Sequence, residues 1–516
     1  MQRENDSEYG AISEDVEEHH RTVADDNLSD EQYGLLVGGE WVTGETGETN
    51  EATDATTGET LATFQAGTRD DVDRAVAAAQ DAFDGAWGQL SATQRADTLF
   101  EIADEIEEQK VELARLDSLE MGKPNQHSLL VDMTITVEQF RHFASIARTA
   151  EAGRHPSTNG DKLCYTRSEP YGVVGQISAW NFPSMFVAWK AAPALAAGNA
   201  VVFKPANRAV LSTLELGRIM NRILPDGTVN VVTGSGSEVG SAIANHEKIR
   251  KVALTGSTAA GRSVMRDAAE TITPVSLELG GKSPNIVFPD ADLEKAVEGT
   301  LISIFFNQGE QCTAGSRLYL HEDIADEFLE RFTDEMERLT VGDPLSPTTD
   351  IGPLVDHDHF DAVRSYVETA TAEGARVLVG GERLDDEELN GAPFFEPTVL
   401  VDVEPDHTVA REEIFGPVLS VFEWSEQDEV VEQANDTEYG LTSGVWTTDL
   451  ETAHEMAAEI EAGTVWVNTY NELVDNLPHG GYKQSGIGRE LDAEAFDAYR
   501  QTKTVVCNFG NLPKFG

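Results

Sequence analysis

The stretch YGVVGQISAWNFPSMFVAWKAAPALAAGNAVVFKPA, Tyr171 to Ala206, decides the fold class. It opens with a mostly apolar run, GVVGQISAW, and closes with a second, NAVVFKPA. Between them SMFVAWKAAPALAAG has helical period and ends at a glycine. Two continuous apolar runs joined through a helix predict parallel strands buried on both faces. Working outward, TVNVVTG, RKVALTGS and PVSLELGG repeat the run about 20–30 residues apart, with LSTLELGRIMNRI as an intervening helix. The alternation resumes in PNIVF, SRLYLHE, IADEFLERFTDEMERL, ARVLVGG, LSVFEW and TVWVNT. The reading is an α/β chain with two units joined near residue 280.

Toward the N-terminus the texture is helical. TRDDVDRAVAAAQDAFDGAW begins with Thr68 and Asp71 in capping-box spacing, and SATQRADTLFEIADEIEEQK begins with Ser91 and Gln94 in the same relation. The second pattern carries Leu99, Ile102, Ile106 and Val111 near helical period and stops at Gly122 and Pro124, predicting one long helix. Residues 1–34 are acidic and poor in large apolar groups, which predicts a disordered tail. KLCYTRSEP and RQTKTVVCNFG alternate polar and apolar residues. They read as exposed strands that pair with each other or with another subunit.

A chain of 516 residues exceeds what one core supports, so two or three domains are expected. No stretch approaches the roughly 20 apolar residues of a membrane span, and the first residues lack an apolar signal core. The three cysteines, Cys164, Cys312 and Cys507, make no disulfide framework and fit no zinc spacing, so no metal is expected and a reducing cytoplasm is the expected location. The charge is extreme: 92 Asp and Glu against 37 Lys and Arg leave −55. The first 34 residues hold 11 acids and two arginines, so most of the excess lies in the body. A charge spread this widely excludes a nucleic-acid surface. It is the balance expected of a protein that stays soluble in concentrated salt, where self-repulsion is screened.

Three residues stand out as chemistry. In FFNQGEQCTAGSR, Phe305 to Arg317, Cys312 sits among small and polar residues directly after an apolar run. It reads either as an inert loop thiol or as a presented nucleophile. Glu278 ends the apolar strand PVSLELGG, where it is either a salt-bridged strand-end acid or a buried base with a raised pKa. Asn181 ends GQISAWNFP, where it is either a turn former before Pro183 or an oxyanion donor. Glycine-rich turns follow strands at 233–240, 255–261 and 279–284. The middle one, TGSTAAG, opens a helix and is placed to hold a pyrophosphate on backbone N–H groups.

Taken together, AWNFP, KPA, ELGGKSPN, FFNQGEQCTAG, EEIFGPV at 412–418 and GGYKQSGIGRE at 480–490 resemble the aldehyde dehydrogenase superfamily over residues 35–510. With the charge, the chain looks like a halophilic-type, non-acylating member. The resemblance implies a modified Rossmann coenzyme domain (35–157 and 171–279), an α/β catalytic domain (280–485), and strands at 158–170 and 486–516 for assembly into a homodimer or homotetramer. It implies Cys312 as nucleophile, Asn181 with the Cys312 N–H as oxyanion donors, and Glu278 as the base that activates water. The thiol would wait as a few per cent thiolate or lose its proton through Glu278. Lys204 would bind the adenosine ribose of NAD, Gly256 and Ser257 would lie at its pyrophosphate, Trp180 would lie along the cofactor, and Glu413 and Phe415 would hold its nicotinamide ribose and ring. Two departures matter. Asn207 stands where NAD-preferring relatives carry a glutamate, which opens the site to NADP, and His479 stands where many have phenylalanine.

Two rival readings are an inactive structural or binding protein that keeps the fold, and a dehydrogenase that acylates coenzyme A. The presence of Cys312, Glu278 and Asn181 argues against the first, and Glu278 argues against the second. By the same resemblance the substrate entrance offers Phe186, Trp189 and Tyr470 as walls, Glu472 and Asp475 as acids, His479 as a polar group, and no arginine before Arg317. The expectation is a neutral or cationic aldehyde: an aminoaldehyde, betaine aldehyde or an aliphatic aldehyde.

Overall fold

The computed structural model describes residues 12–150, 152–154, 160–474 and 476–512. Asp475 therefore lies outside the described residues. The opening stretch forms the strand Val173–Ile177, the helix Pro183–Ala197 and the strand Ala200–Lys204, which pairs parallel with the first. Alternate residues of these strands pack into opposite cores. Val174, Val201 and Phe203 join one cluster with Leu99, Phe140 and Leu195. Val173, Ile177, Ala200 and Val202 join another with Val72, Val76 and Val264. Both faces are covered by helices, which is why the runs show no polar alternation.

The first large sheet has eight strands in the order Gly486–Ile487, Val275–Glu278, Ile249–Thr255, Val173–Ile177, Ala200–Lys204, Val229–Val231, Leu35–Val37 and Glu40–Val42. Its five middle members, from Val275–Glu278 to Val229–Val231, are parallel. The strand first in the chain among those five, Val173–Ile177, lies in their middle. The connection order reverses between it and Ile249–Thr255, and a crevice opens at such a switch point beyond the carboxyl ends of the strands. The chain then crosses to a seven-stranded sheet ordered Arg376–Val379, Thr398–Val401, Val418–Trp424, Arg317–His321, Pro284–Val287, Thr442–Trp446 and Thr464–Val467. All its neighbours are parallel except the Arg376–Val379 edge. A separate two-stranded antiparallel sheet pairs Lys162–Pro170 with Arg500–Asn508. No helix among the described residues is long and apolar enough to cross a membrane.

Four details differ from the sequence reading. The expected disordered tail contains a helix, Glu14–Asn27, capped by Ser13. The expected long helix is two, Ala92–Glu108 and Lys110–Met121, broken at Gln109. Leu99, Ile102 and Ile106 are buried, but Val111 lies beyond the break and is 38% exposed. The strands Thr398–Val401 and Thr442–Trp446 were not anticipated. Gly486–Ile487, expected with the assembly strands, pairs with Val275–Glu278 at the edge of the first sheet.

Candidate active site

Each of the three candidate residues sits where a regular element ends. Asn181 follows the strand Val173–Ile177 and precedes the helix that starts at Pro183. It is buried, and its Nδ2 donates to the Glu310 carbonyl at 3.0 Å. Its own carbonyl accepts from Asn307 Nδ2 at 3.2 Å and Lys123 Nζ at 3.4 Å. Glu278 is the last residue of its strand and is 6% exposed. Its main-chain carbonyl accepts from Gly256 N at 3.0 Å, which ties it to the glycine turn next door. Its Oε2 has no hydrogen-bond partner.

Cys312 follows the helix Leu293–Phe305 and a tight turn in which Asn307, Gln308 and Gly309 all have positive φ, at 54°, 52° and 73°. The turn is left-handed at three successive residues, and only the third is a glycine. It packs hard against its neighbours: a Cβ on Gly309 would stand 2.2 Å from the Gly416 carbonyl oxygen. The glycine pair after Glu278 performs the assembly. A Cβ on Gly281 would meet the Cys312 carbonyl at 2.3 Å, and one on Gly280 would meet Glu413 Oε2 at 2.3 Å. Gly281 N also donates to Glu413 Oε1 at 2.9 Å. Backbone without side chains thus lets the thiol loop, the Glu278 strand end and Glu413 converge.

The electrostatics are those of a dry site. Burial raises the Glu278 carboxyl well above the usual range and the nearby Glu490 adds to this, while Lys190 and Arg489 oppose it. Burial, then Glu413 and Glu278, push the Cys312 thiol up to about 12. The resting site therefore favours the neutral thiol, and a base speeds its deprotonation. Burial carries Glu413 up to about 7 against the Gly281 N–H and Lys282. Lys190, which with Glu490 was missed by sequence reasoning, forms a buried ion pair with Glu490 at 2.5 Å. Lys190 gave no signal inside an apolar helix, whereas Glu490 closes the GGYKQSGIGRE motif.

Of the entrance candidates, Phe186 and Trp189 lie in a small cluster with Phe182, Met185 and Leu491, against which Phe306 and Leu473 pack, whereas Tyr470 belongs to a separate core cluster beside the second sheet. Phe182 stacks on Phe306 with centroids 6.4 Å apart, and Trp189 meets His479 edge-on at 5.6 Å. His479 is buried, and burial holds it down to about 4, so it is neutral near pH 7. Tyr470 is placed over the thiol loop, its hydroxyl donating to the Thr313 carbonyl at 2.9 Å. Glu472 is exposed and accepts from Thr469. Arg317 is spent on the carbonyls of Lys282, Gln433 and Ala434 and on the Tyr319 hydroxyl.

The residues expected to hold a dinucleotide lie at and beyond the strand ends on either side of the switch point. Lys204 ends its strand, 5% exposed, its Nζ donating to the Pro205 carbonyl and held down to about 8 by burial. Asn207 Oδ1 is a buried acceptor without a partner, as a ribose hydroxyl would require. Arg208, beside it, pairs with Asp356 at 2.8 Å. Gly256 and Ser257 open the helix Thr258–Ala269, whose free N–H groups suit a pyrophosphate. Trp180 and Phe415 meet edge-on at 5.5 Å, with Phe415 held at φ 62° and Glu413 two residues before it.

Known proteins resemble this chain in sequence and in fold. The model of the aldehyde dehydrogenase family matches residues 41–505. An aldehyde dehydrogenase of Agaricus bisporus is 42% identical over 478 residues, covering 92% of this chain and 95% of its own. The NAD+ complex of a Bacillus cereus aldehyde dehydrogenase is similar in structure at a TM-score of 0.91 and 41% identity, covering 97% of this chain and all of that one. A Staphylococcus aureus betaine aldehyde dehydrogenase bound to NAD+ is similar at 0.94 and 36% identity, covering 96% and 99%.

Proposed function

The chain belongs to the aldehyde dehydrogenase family and oxidises aldehydes to carboxylic acids with NAD; on that premise we propose that Cys312, Glu278 and Asn181 carry the reaction. The observation behind the assignment is the convergence at Gly281, which brings the thiol loop against the strand end that bears an unpartnered, desolvated carboxylate. Glu278 takes the thiol proton. Cys312 Sγ attacks the aldehyde carbon, a C–S bond forms, and the carbonyl π pair moves onto oxygen. One proton of Asn181 Nδ2 is held by the Glu310 carbonyl, which aims the other at that oxygen beside the Cys312 N–H. NAD supplies the acceptor for the hydride that leaves the same carbon. Glu278 passes the thiol proton to solvent and then takes one from water; hydroxide adds to the Cys312 thioester, the C–S bond breaks to release the acid, and the leaving thiolate takes that proton back from Glu278.

Lys204 and Asn207 are assigned to the adenosine ribose, Gly256 and Ser257 to the pyrophosphate, and Trp180, Glu413 and Phe415 to the nicotinamide end. NAD is the main coenzyme and NADP a weaker one, because Asn207 is uncharged where a carboxylate would repel a 2′-phosphate. Phe186, Trp189, Tyr470 and His479 line the substrate pocket. It takes neutral or cationic aldehydes, such as aminoaldehydes, betaine aldehyde and aliphatic aldehydes, because no arginine in it is free to clamp a carboxylate. The domain limits are those of the sequence reading, except that the tail contains the helix Glu14–Asn27 and Gly486–Ile487 belongs to the edge of the first sheet. The assembly is a homodimer or homotetramer through the Lys162–Pro170 and Arg500–Asn508 strands, in the cytoplasm of a salt-adapted cell, and sedimentation in molar KCl reads the assembly directly.

One assay tests the core of this reading. Wild type and Cys312→Ala are given hexanal, 4-aminobutanal and succinate semialdehyde with NAD and with NADP. Wild type should favour the first two aldehydes and NAD, and the variant should be inactive while still binding NAD. Turnover by the variant would refute the nucleophile, and a preference for succinate semialdehyde would refute the pocket.

A further inference from the structure

Lys123 lies in the turn after the helix Lys110–Met121 and is fully buried. All three directions of its ammonium are used. It forms an ion pair with Asp132, itself fully buried, it donates to the Asn181 carbonyl at 3.4 Å, and it stands 3.8 Å from the centroid of the Phe182 ring. The Asn181 carbonyl has a second donor in Asn307 Nδ2, which also donates to the Glu310 carbonyl at 2.8 Å. Since Asn181 Nδ2 donates to that same Glu310 carbonyl, main chain and side chain of Asn181 are tied to one loop. Asp117 braces the neighbouring turn, accepting from Ser128 Oγ and Ser184 Oγ, each at 3.2 Å. An ion pair this deep costs more solvation than an apolar pair of equal volume, so packing alone does not call for it.

We propose that Lys123 is a positioning residue of the oxyanion site: anchored by Asp132, it fixes the Asn181 peptide so that the free proton of Nδ2 meets the aldehyde oxygen as the C–S bond forms. The proposal rests on the oxyanion role of Asn181 given above. A preorganised donor is valuable only when it sits where the charge develops, and loss of one such donor costs about 10²–10³ in rate. A donor left in place but free to drift loses part of that.

The test is a cycle of four enzymes: wild type, Asn181→Ala, the pair Lys123→Met with Asp132→Leu, and all three changes together. The pair removes both charges at once, which avoids a stranded buried carboxylate. Single-turnover formation of NADH with hexanal reads the acylation step, and titration of protein fluorescence with NAD reads coenzyme affinity. The paired change should slow the single turnover at least about tenfold in the wild-type background. It should slow it less than about twofold when Asn181 is already alanine, because coupled residues fail to add. NAD affinity should stay within about twofold throughout, since the contacts of Lys123 with Asp132, Asn181 and Phe182 include none of the residues assigned to the coenzyme. Equal losses in both backgrounds, or no loss, would overturn the proposal while leaving Asn181 its role. If Asn181→Ala alone leaves the rate unchanged, the oxyanion assignment fails and the proposal with it. Should the pair not fold, Lys123→Gln measured in the same two backgrounds is judged by the same criterion.

Discussion

At the scale of single residues, we assign coenzyme choice to the side chain at 207. Asn207 Oδ1 is buried and unpartnered, so it can accept from a ribose hydroxyl but carries no charge to repel a phosphate. Arg208 does not convert this into an NADP site, because its guanidinium is engaged by Asp356 and lies 5.9 Å from the Trp180 ring. Two like charges about 4 Å apart near a surface interact by roughly 1–4 kcal/mol. Asn207→Glu should therefore lower the NADP/NAD ratio of kcat/KM by about fivefold to several hundredfold. Steady-state kinetics with both coenzymes give that ratio, and an unchanged value contradicts the assignment. The residues assigned to the reaction stood out in the sequence only as alternatives, a thiol among small residues and an acid ending an apolar strand, and it was the resemblance to a family that gave them roles. Lys123 and Asn307 did not stand out, since a lysine before a proline and an asparagine in a turn have common structural uses.

At the scale of elements, the parallel strands announced themselves through unbroken apolar runs, and what escaped had polar or small residues for a physical reason. The strand Thr442–Trp446 reads TSGVW, and its glycine is required because a Cβ there would stand 2.4 Å from Asn285 Oδ1. The helix Glu14–Asn27 has little apolar surface and is held mainly by charge. His20 is buried between Asp54, at 2.8 Å from Nδ1, and Asp343, at 3.0 Å from Nε2, and Arg21 pairs with Glu59 at 2.6 Å. Ser13 N donates to the Glu388 carbonyl, so the helix straps a segment near the first sheet to loops of the second. Burial pulls the His20 pKa down, but hydrogen bonds and charge from Asp343 and Asp54 outweigh it and raise it to about 9. A histidine whose folded pKa exceeds its unfolded one stabilises fully below about pH 6.5, and that contribution fades as pH rises through about 9. The contribution is on the order of 3 kcal/mol. His20→Ala should lower the melting temperature by several degrees at pH 6.5 and by much less at pH 10, measured by thermal scanning in molar KCl. An equal effect at both values contradicts the charged clamp.

At the scale of the whole molecule, the net charge of −55 means like-charge repulsion across the folded body. Raising KCl from 0.1 M to 1 M shortens the Debye length from about 10 Å to about 3 Å. The melting temperature should rise over that range, and a flat or falling curve contradicts the salt-adapted reading. The same scale holds the central claim, because Asn181 follows one strand of the first sheet and Glu278 ends another while Cys312 lies in a loop between strands of the second, and only the assembled chain brings them together. Glu278→Gln separates the two halves of the reaction: it retains the shape of the site but cannot take a proton from water. Glu278 is also one of the two carboxyls that hold the proton on the thiol, so the variant keeps a small reactive thiolate population while hydrolysis lacks its base, and the acyl group accumulates on the enzyme. The most direct measurement is mass spectrometry of Glu278→Gln quenched after mixing with NAD and hexanal, followed by peptide mapping. The account predicts a hexanoyl thioester on the peptide that contains Cys312, formed with one equivalent of NADH. NADH formation without an adduct, or an adduct on Cys164 or Cys507, would contradict it.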